Sequence, residues 1–210
     1  MAKGVEITVK YDEKFFKALE ILPENVAKKA MSTSINEALK KGVTEFGRKA
    51  SGIYNMNKGE IVSKKFTKPK YVMPGSIRKG KIIVKSRRLT VGRTHFASRP
   101  STYKSVEGQK QRNIRRKKTK IKIKKSAGYV PFKGGFIANP SSVKGKNTMV
   151  WMRLMQGRRK PIAPVRTISI AQMLSNKEVY QHVENEMEKK YSKRLEHQIN
   201  RQLDKIGGKS

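Results

Sequence analysis

The clearest periodicity in the chain lies near its two ends. Val26, Ala27, Ala30, Met31, Ile35, Ala38, Leu39, Val43, Phe46 and Ala50 keep one apolar stripe, which predicts a long amphipathic helix from about Pro23 to Ala50. Pro23 sits where a helix tolerates proline, in the first turn, and Glu24 favours the positive end of the dipole. Ser51 and Gly52 end the stripe. Val179, Val183, Met187, Tyr191, Leu195, Ile199 and Leu203 then recur every four residues and predict a second long helix from about Asn176 to Ile206. Gly207 and Gly208 follow as a glycine cap.

Ahead of the first helix, Val5, Ile7 and Val9 alternate with polar residues as in a strand or extended arm, and Phe15, Phe16, Leu19 and Leu22 suit a short helix from Asp12 to Ile21. Between the long helices the period shortens. Glu60, Ile61, Val62 and Phe66 form a short helix, with Ser63 to Lys68 too basic for core. Lys81 to Val91 reads as two strands around Ser86 and Arg87, or one kinked strand, with Ile82, Val84, Leu89 and Val91 inward and Phe96 closing the block. Ala97 to Asn113 has no periodicity and is expected to be a long loop. Gly128 to Ile137 suits a tight turn locked by Phe132 and Phe136. Met149 to Met155 reads as a buried strand with Trp151 in the core beside Val150 and Leu154, and Gly157 to Lys160 as a basic hairpin turn. Pro161 and Pro164 confine the next segment to a sheet edge, and Ile168 to Leu174 opens a short helix. The fold class is α+β: a small antiparallel β-sheet flanked by two long amphipathic helices, with a long basic loop. Residues 1–22 form an N-terminal arm and short helix, and residues 23–210 a single domain whose β-rich basic middle, 71–170, carries a mobile loop at 97–118.

Charge changes this picture more than any other property. The chain has 50 Lys plus Arg against 15 Asp plus Glu, a formal net charge of +35 in 210 residues. Self-repulsion on that scale works against a compact monomer and favours adsorption to nucleic acid or another polyanion. Between Ile61 and Lys177 the only acidic residue is Glu107; the other fourteen lie in the two ends. The run Lys110 to Lys125, KQRNIRRKKTKIKIKK, holds ten cations and no anion. Arg115, Arg116, Lys117 and Lys118 are contiguous and point several ways at once, as in a mobile arm. Lys120, Lys122 and Lys124 then alternate with Ile121 and Ile123, as in a half-buried strand. The residues expected to contact nucleic acid or an acidic partner are Lys110, Arg112, Arg115, Arg116, Lys117, Lys118, Lys120, Lys122, Lys124 and Lys125 in the run, with Arg158, Arg159 and Lys160 in the hairpin.

Enzymatic chemistry finds little support. The absence of Cys removes disulfides, thiolate metal sites and a cysteine nucleophile. His182 and His197 are fifteen residues apart on one predicted helix, too distant to chelate one ion, and read as exposed helix positions. Glu184, Glu186 and Glu188 suit a solvated face or partners for nearby lysines. Gly134 and Gly135 lack the spacing of a phosphate loop, and no GxSxG occurs. Trp151 and Tyr129 could stack on bases, but Trp151 fits core better. Neither a signal peptide nor a membrane span is expected, so the protein is made and used in a cytoplasm. The expectation is no catalytic residue, no cofactor and no metal.

From the arginine-lysine run onward the order of features resembles the prophage minor tail protein Z family, the tail-completion proteins of long-tailed phages. The residues that carry it are Arg112 to Lys125, the Gly135-Phe136-Ile137 turn, the strand with Trp151 leading into Gly157-Arg158-Arg159-Lys160-Pro161-Ile162, and the proline-containing lead into Ser169 to Leu174. The helix Pro23 to Ala50 and the strand near Lys81 to Val91 also fit. Extra residues ahead of the long helix and a longer loop at Ala97 to Asn113 depart from the pattern. The resemblance implies a structural protein of the phage neck, added at the head-proximal end of the tail, where it assembles as a ring, most simply sixfold, and supports head-tail joining. Its implied partners are the tail terminator, tail tube and head-connector proteins and double-stranded DNA through phosphates, with no membrane; it would reside in the virion after assembly in the host cytoplasm. Six copies would gather about 210 positive charges around DNA that presents one negative charge per roughly 1.7 Å, so some of the charge must face acidic proteins or lie outside the ring. A ribosomal- or nucleoid-type non-specific nucleic-acid-binding protein is the alternative that composition alone supports.

Overall fold

The computed structural model describes residues 5–8, 22–71, 80–92, 95–99, 119–138, 149–155 and 161–207. The short helix expected at Asp12 to Ile21 lies outside them, as does most of the expected loop. The two long helices form on the stripes: α1 spans Glu24–Ile53 with Pro23 as its N-cap residue, running through Ser51 and Gly52, which were expected to end it, and the last helix spans Lys177–Gly207. Gly207 is the final helical residue, not a cap beyond it. Between them lie α2 (Lys58–Ile61), β2 to β9, and α3 (Ile170–Leu174); β1 is Val5–Thr8, and the C-terminal helix is α4.

α1 and α4 pack antiparallel, as their ion pairs show in order: Lys49 with Glu178, Glu45 with His182, Lys41 with Glu186, and Glu37 with Arg194. Along α1 the inward face offers small side chains at four-residue spacing, Ala30, Ser34, Ala38 and Gly42, beside Ile35, Leu39 and Phe46. α4 supplies the larger set, Val179, Val183, Met187, Tyr191, Leu195 and Ile199, all buried. Each Leu, Ile or Phe so buried contributes about 1.5–3 kcal/mol. Approach is closest at Gly42, where an added Cβ would stand 2.3 Å from Met187 Sδ and 2.9 Å from Ile82 Cδ1.

Among the described residues the strands, β1 included, form three small antiparallel sheets, not one. β2 (Thr67–Lys70) and β1 flank β3 (Lys81–Val84), whose Ile82 and Val84 are buried. β2 contradicts the expectation that Ser63 to Lys68 stays out of the core. Thr67 is buried, with its hydroxyl donating to Ile61 O at 2.9 Å, and Pro69 is tolerated because β2 is an edge strand. The second sheet orders β4 (Ala97–Arg99), β5 (Lys120–Lys122) and β6 (Val130–Pro131). Ala97 to Arg99 is therefore strand and not loop; pairing with β5 imposes an extended backbone on residues whose own pattern carries no period.

The third sheet orders β7 (Gly135–Ala138), β8 (Met149–Arg153) and β9 (Ile162–Pro164), with β9 at the edge, where Pro164 is tolerated. Buried Val91, Val150 and Val165 close a three-way backbone junction against it: Val91 N donates to Val165 O, Val165 N to Val150 O and Val150 N to Val91 O. Leu89 and Phe96 are also buried, as expected. The buried strand expected at Met149 to Met155 is buried only at Val150; β8 ends at Arg153, and Leu154 and Met155 are exposed. Trp151 is half-buried, its indole N–H donating to Ala138 O at 3.1 Å. The turn before β7 uses Gly134 at φ 75°, and Phe132 covers Gly135 closely enough that a Cβ there would lie 2.4 Å from its ring. α3 starts at Ser169, whose side chain and that of Gln172 form a reciprocal capping box.

Glu45 is the buried carboxylate of the helical layer. Lys41 Nζ lies 2.9 Å from it, and Arg48 and His182 also reach it. The Lys41 hydrogen bond holds its carboxyl below the ordinary range, helped by His182 and Arg48 and opposed by burial. A depressed folded-state pKa gives stability that is present above the unfolded value and lost as pH falls through the folded one.

Two outcomes follow for thermal unfolding. Gly42→Leu should cost about 2–3 kcal/mol through overpacking, lowering Tm by roughly 4–12 °C. Glu45→Gln should cost about 1–3 kcal/mol near neutral pH. The advantage of the parent over that variant should persist down to about pH 4.3 and then shrink with further acidification.

Candidate nucleic-acid interface

Among the residues singled out by charge, Lys120, Lys122, Lys124 and Lys125 fall within the described structure. Lys110, Arg112, Arg115, Arg116, Lys117, Lys118, Arg158, Arg159 and Lys160 lie outside it. The Lys-Ile alternation forms β5 as its period implies: Lys120 is exposed, Ile121 buried, Lys122 half-buried and Ile123 packed against the core. Lys124 and Lys125 are exposed.

The basic run is fastened to the end of α1. Asn55 N donates to Ile123 O at 2.7 Å, Lys125 N donates to Ile53 O at 2.8 Å, and Tyr54 bridges Lys124. The Asn55 side chain reaches Lys122 O at 3.4 Å. These contacts place Lys124 and Lys125 beside the negative end of the α1 dipole, where cations are favoured. On the other side, Thr119 Oγ1 donates to Gly135 O at 2.9 Å and Phe132 N donates to Thr119 O, tying the entry of β5 to the turn before β7.

Register adds a cation that charge counting assigned to the loop. Arg99 on β4 stands directly opposite Lys120 on β5, and Ala97 opposite Lys122. Like charges directly across a ladder destabilise it by roughly 0.2–1 kcal/mol. The Arg99 guanidinium instead lies over the Tyr129 ring, 4.2 Å from its centroid, an arrangement worth about 0.5–1 kcal/mol at an exposed site. Tyr129 thus has a cation on its face. A signal for Arg99 existed in principle, since Ala97 to Arg99 matches β5 in length, but no turn residue announces the pairing.

Several carboxylates of the helical layer are engaged within it. Glu37 pairs with Arg194 and Lys190, Glu45 with Lys41, Arg48 and His182, Glu178 with Lys49, and Glu186 with Lys41 and Lys189. His182 is therefore a half-buried hydrogen-bond partner of Glu45, not the exposed position expected from sequence. His95 Nδ1 is bonded to Glu60. Among the described residues no group of three or more His, Asp or Glu is placed to hold a metal ion, and no helix is long and apolar enough to cross a membrane. The arrangement is a helical layer with mixed and partly paired charge and a β-rich layer whose exposed cations Arg99, Lys120, Lys124 and Lys125 share one small sheet and its exit.

No curated protein and no solved structure matches the chain. The model of one family does, the prophage minor tail protein Z family, over residues 9–207. The match takes in the segment between residue 9 and α1, so only the first eight residues, including β1, precede it. Coverage of nearly the whole chain, helical layer and cationic sheets together, makes this protein a member of the prophage minor tail protein Z family, a structural component of the phage tail.

Proposed function

We propose that the protein assembles as a ring at the head-proximal end of the tail, supports head-tail joining, and meets DNA in the channel through its basic loops. The observation that carries this reading is the partition of charge. The helical layer's carboxylates Glu37, Glu45, Glu178 and Glu186 are bound within that layer, while Arg99, Lys120, Lys124 and Lys125 belong to a stretch in which Glu107 is the only acid. Copies arranged about a common axis, with the β4–β5–β6 sheet inward and α1 and α4 outward, would present cations to duplex DNA from all sides. Family membership favours this over the ribosomal or nucleoid alternative, because it gives the surplus charge a setting in the virion.

Contact in this arrangement is with phosphates, which fix position without reading sequence. Lys110, Arg112 and the Arg115 to Lys118 cluster extend the β5 cations in sequence, and Arg158, Arg159 and Lys160 are a second cluster of cations in the sequence. The ring places both near the channel. No base-reading group is needed, since a passing genome must slide.

Replacing Arg115, Arg116, Lys117 and Lys118 with Ser should leave the thermal transition unchanged and impair DNA retention or head-tail joining in assembled particles. In purified protein, the slope of log affinity for duplex DNA against log salt should fall by roughly 0.9 for each phosphate contact removed. Full particle yield with full DNA retention would overturn the assignment.

A further inference from the structure

A second cationic feature lies away from the basic run, and no motif in the sequence marks it. A cleft of about 470 Å³ opens between the α2–β2 connection, the segment after β3 and the segment after β9. Lys65, Lys85, Arg87, Arg88 and Arg166 line it together with Phe66. All five cations are exposed, Phe66 is half-buried, and Leu89 in the same lining is buried. The neighbouring carboxylate, Glu60, is already bonded to His95 at the rim.

The backbone beneath these side chains is fixed from three directions. Lys85 N donates to Phe66 O at 2.9 Å, Leu89 N to Ile168 O at 3.1 Å, and Thr167 N to Leu89 O at 2.8 Å. Ile170 N donates to the buried Ser86 hydroxyl at 2.7 Å, and Thr90 bridges Arg166. Five cations are thus held around one concavity by a hydrogen-bonded frame, and among the described residues none of them has a carboxylate partner. Mutual repulsion in such a site is relieved by a bound anion, and three guanidinium forks suit paired oxygens.

We propose that this cleft docks an acidic segment of a neighbouring virion protein. Carboxylates of an extended peptide meet Arg87, Arg88 and Arg166 while an apolar side chain of the same peptide rests on Phe66. Two features favour a peptide over DNA. The site is concave and half-buried Phe66 makes part of its lining apolar, whereas a duplex is a convex rod that offers phosphates and gains nothing from Phe66. On the ring proposed above, the chains would also carry more positive charge than the short length of DNA inside can neutralise, which leaves cations for acidic protein partners. The cleft's affinity does not depend on the loops' contact with DNA.

Two variants of the full chain separate the possibilities: Arg87→Ser/Arg88→Ser/Arg166→Ser in the cleft, and Arg115→Ser/Arg116→Ser/Lys117→Ser/Lys118→Ser in the loop. Fluorescence anisotropy at physiological salt would use a labelled synthetic peptide of alternating glutamate and phenylalanine, and a labelled duplex of random sequence. The cleft variant should lose about tenfold or more in peptide affinity and keep duplex affinity within about twofold, and the loop variant should do the reverse. Arg87→Lys/Arg88→Lys/Arg166→Lys keeps the charge without the forks and should fall between the parent and the Ser variant for the peptide. A cleft variant that loses duplex binding instead would make this a phosphate site. Equal loss of both probes would make it part of a general cationic surface, and loss of neither would remove it as an anion site; each result overturns the proposal. Unchanged duplex binding in the loop variant, with the cleft result intact, would count against the DNA contact alone. Should the triple Ser variant fail to fold, Lys85→Ser/Arg166→Ser removes two exposed cations from the same walls and gives the same comparison.

Discussion

The close antiparallel contact of α1 with α4 is the constraint on which the rest of the molecule hangs. Ala30, Ser34, Ala38 and Gly42 keep one face of α1 low, so that the larger residues of α4 fill the space against it. Gly42 has no room for a side chain between Met187 and Ile82, and Gly80 likewise meets Ile35 and Leu39, so β3 is drawn onto the same helix. Asn176 at the start of α4 donates to the Tyr54 hydroxyl at the end of α1, and Tyr54 in turn bridges Lys124. Helix packing therefore sets where the basic run leaves the body of the protein.

That geometry sorts the charge. Ion pairs along the α1–α4 seam absorb carboxylates in a layer where they also fix the register of two long helices. Exposed pairs of this kind are worth little singly, but Glu45 is buried and is reached by Lys41, Arg48 and His182 together. The strands, by contrast, come from a stretch nearly free of acids, and their small sheets cannot bury lysines and arginines. Cations accumulate on the surfaces of those sheets and in the cleft beside β3. A folded monomer with this distribution carries an unbalanced field that other components of a tail can balance.

Much of the helical layer was legible because its signals are local and repeated: the stripes of α1 and α4 and Pro23 at the start. The inward positions Ile82, Val84, Leu89, Val91 and Phe96 were legible for the same reason, as was the pleat of Lys120 and Ile121. What pattern could not supply is pairing between strands distant in sequence. Ala97 to Arg99 became a strand through β5, Thr67 entered the core through β3, and the strands divided among three sheets. Leu154 and Met155 look like core residues by type and are exposed because β8 ends before them. The cleft cations are scattered from Lys65 to Arg166, a separation only the fold removes.

The central claim is that the cations of the β-rich layer face anions gathered on a shared axis. A reconstruction of the intact phage tail and neck, with this chain placed in the density, tests it most directly. The account predicts copies in a closed ring with Arg99, Lys120, Lys124 and Lys125 toward the DNA channel and α1 and α4 on the outer side. Copies with that sheet turned to open solvent, away from DNA and from every neighbouring protein, would contradict it.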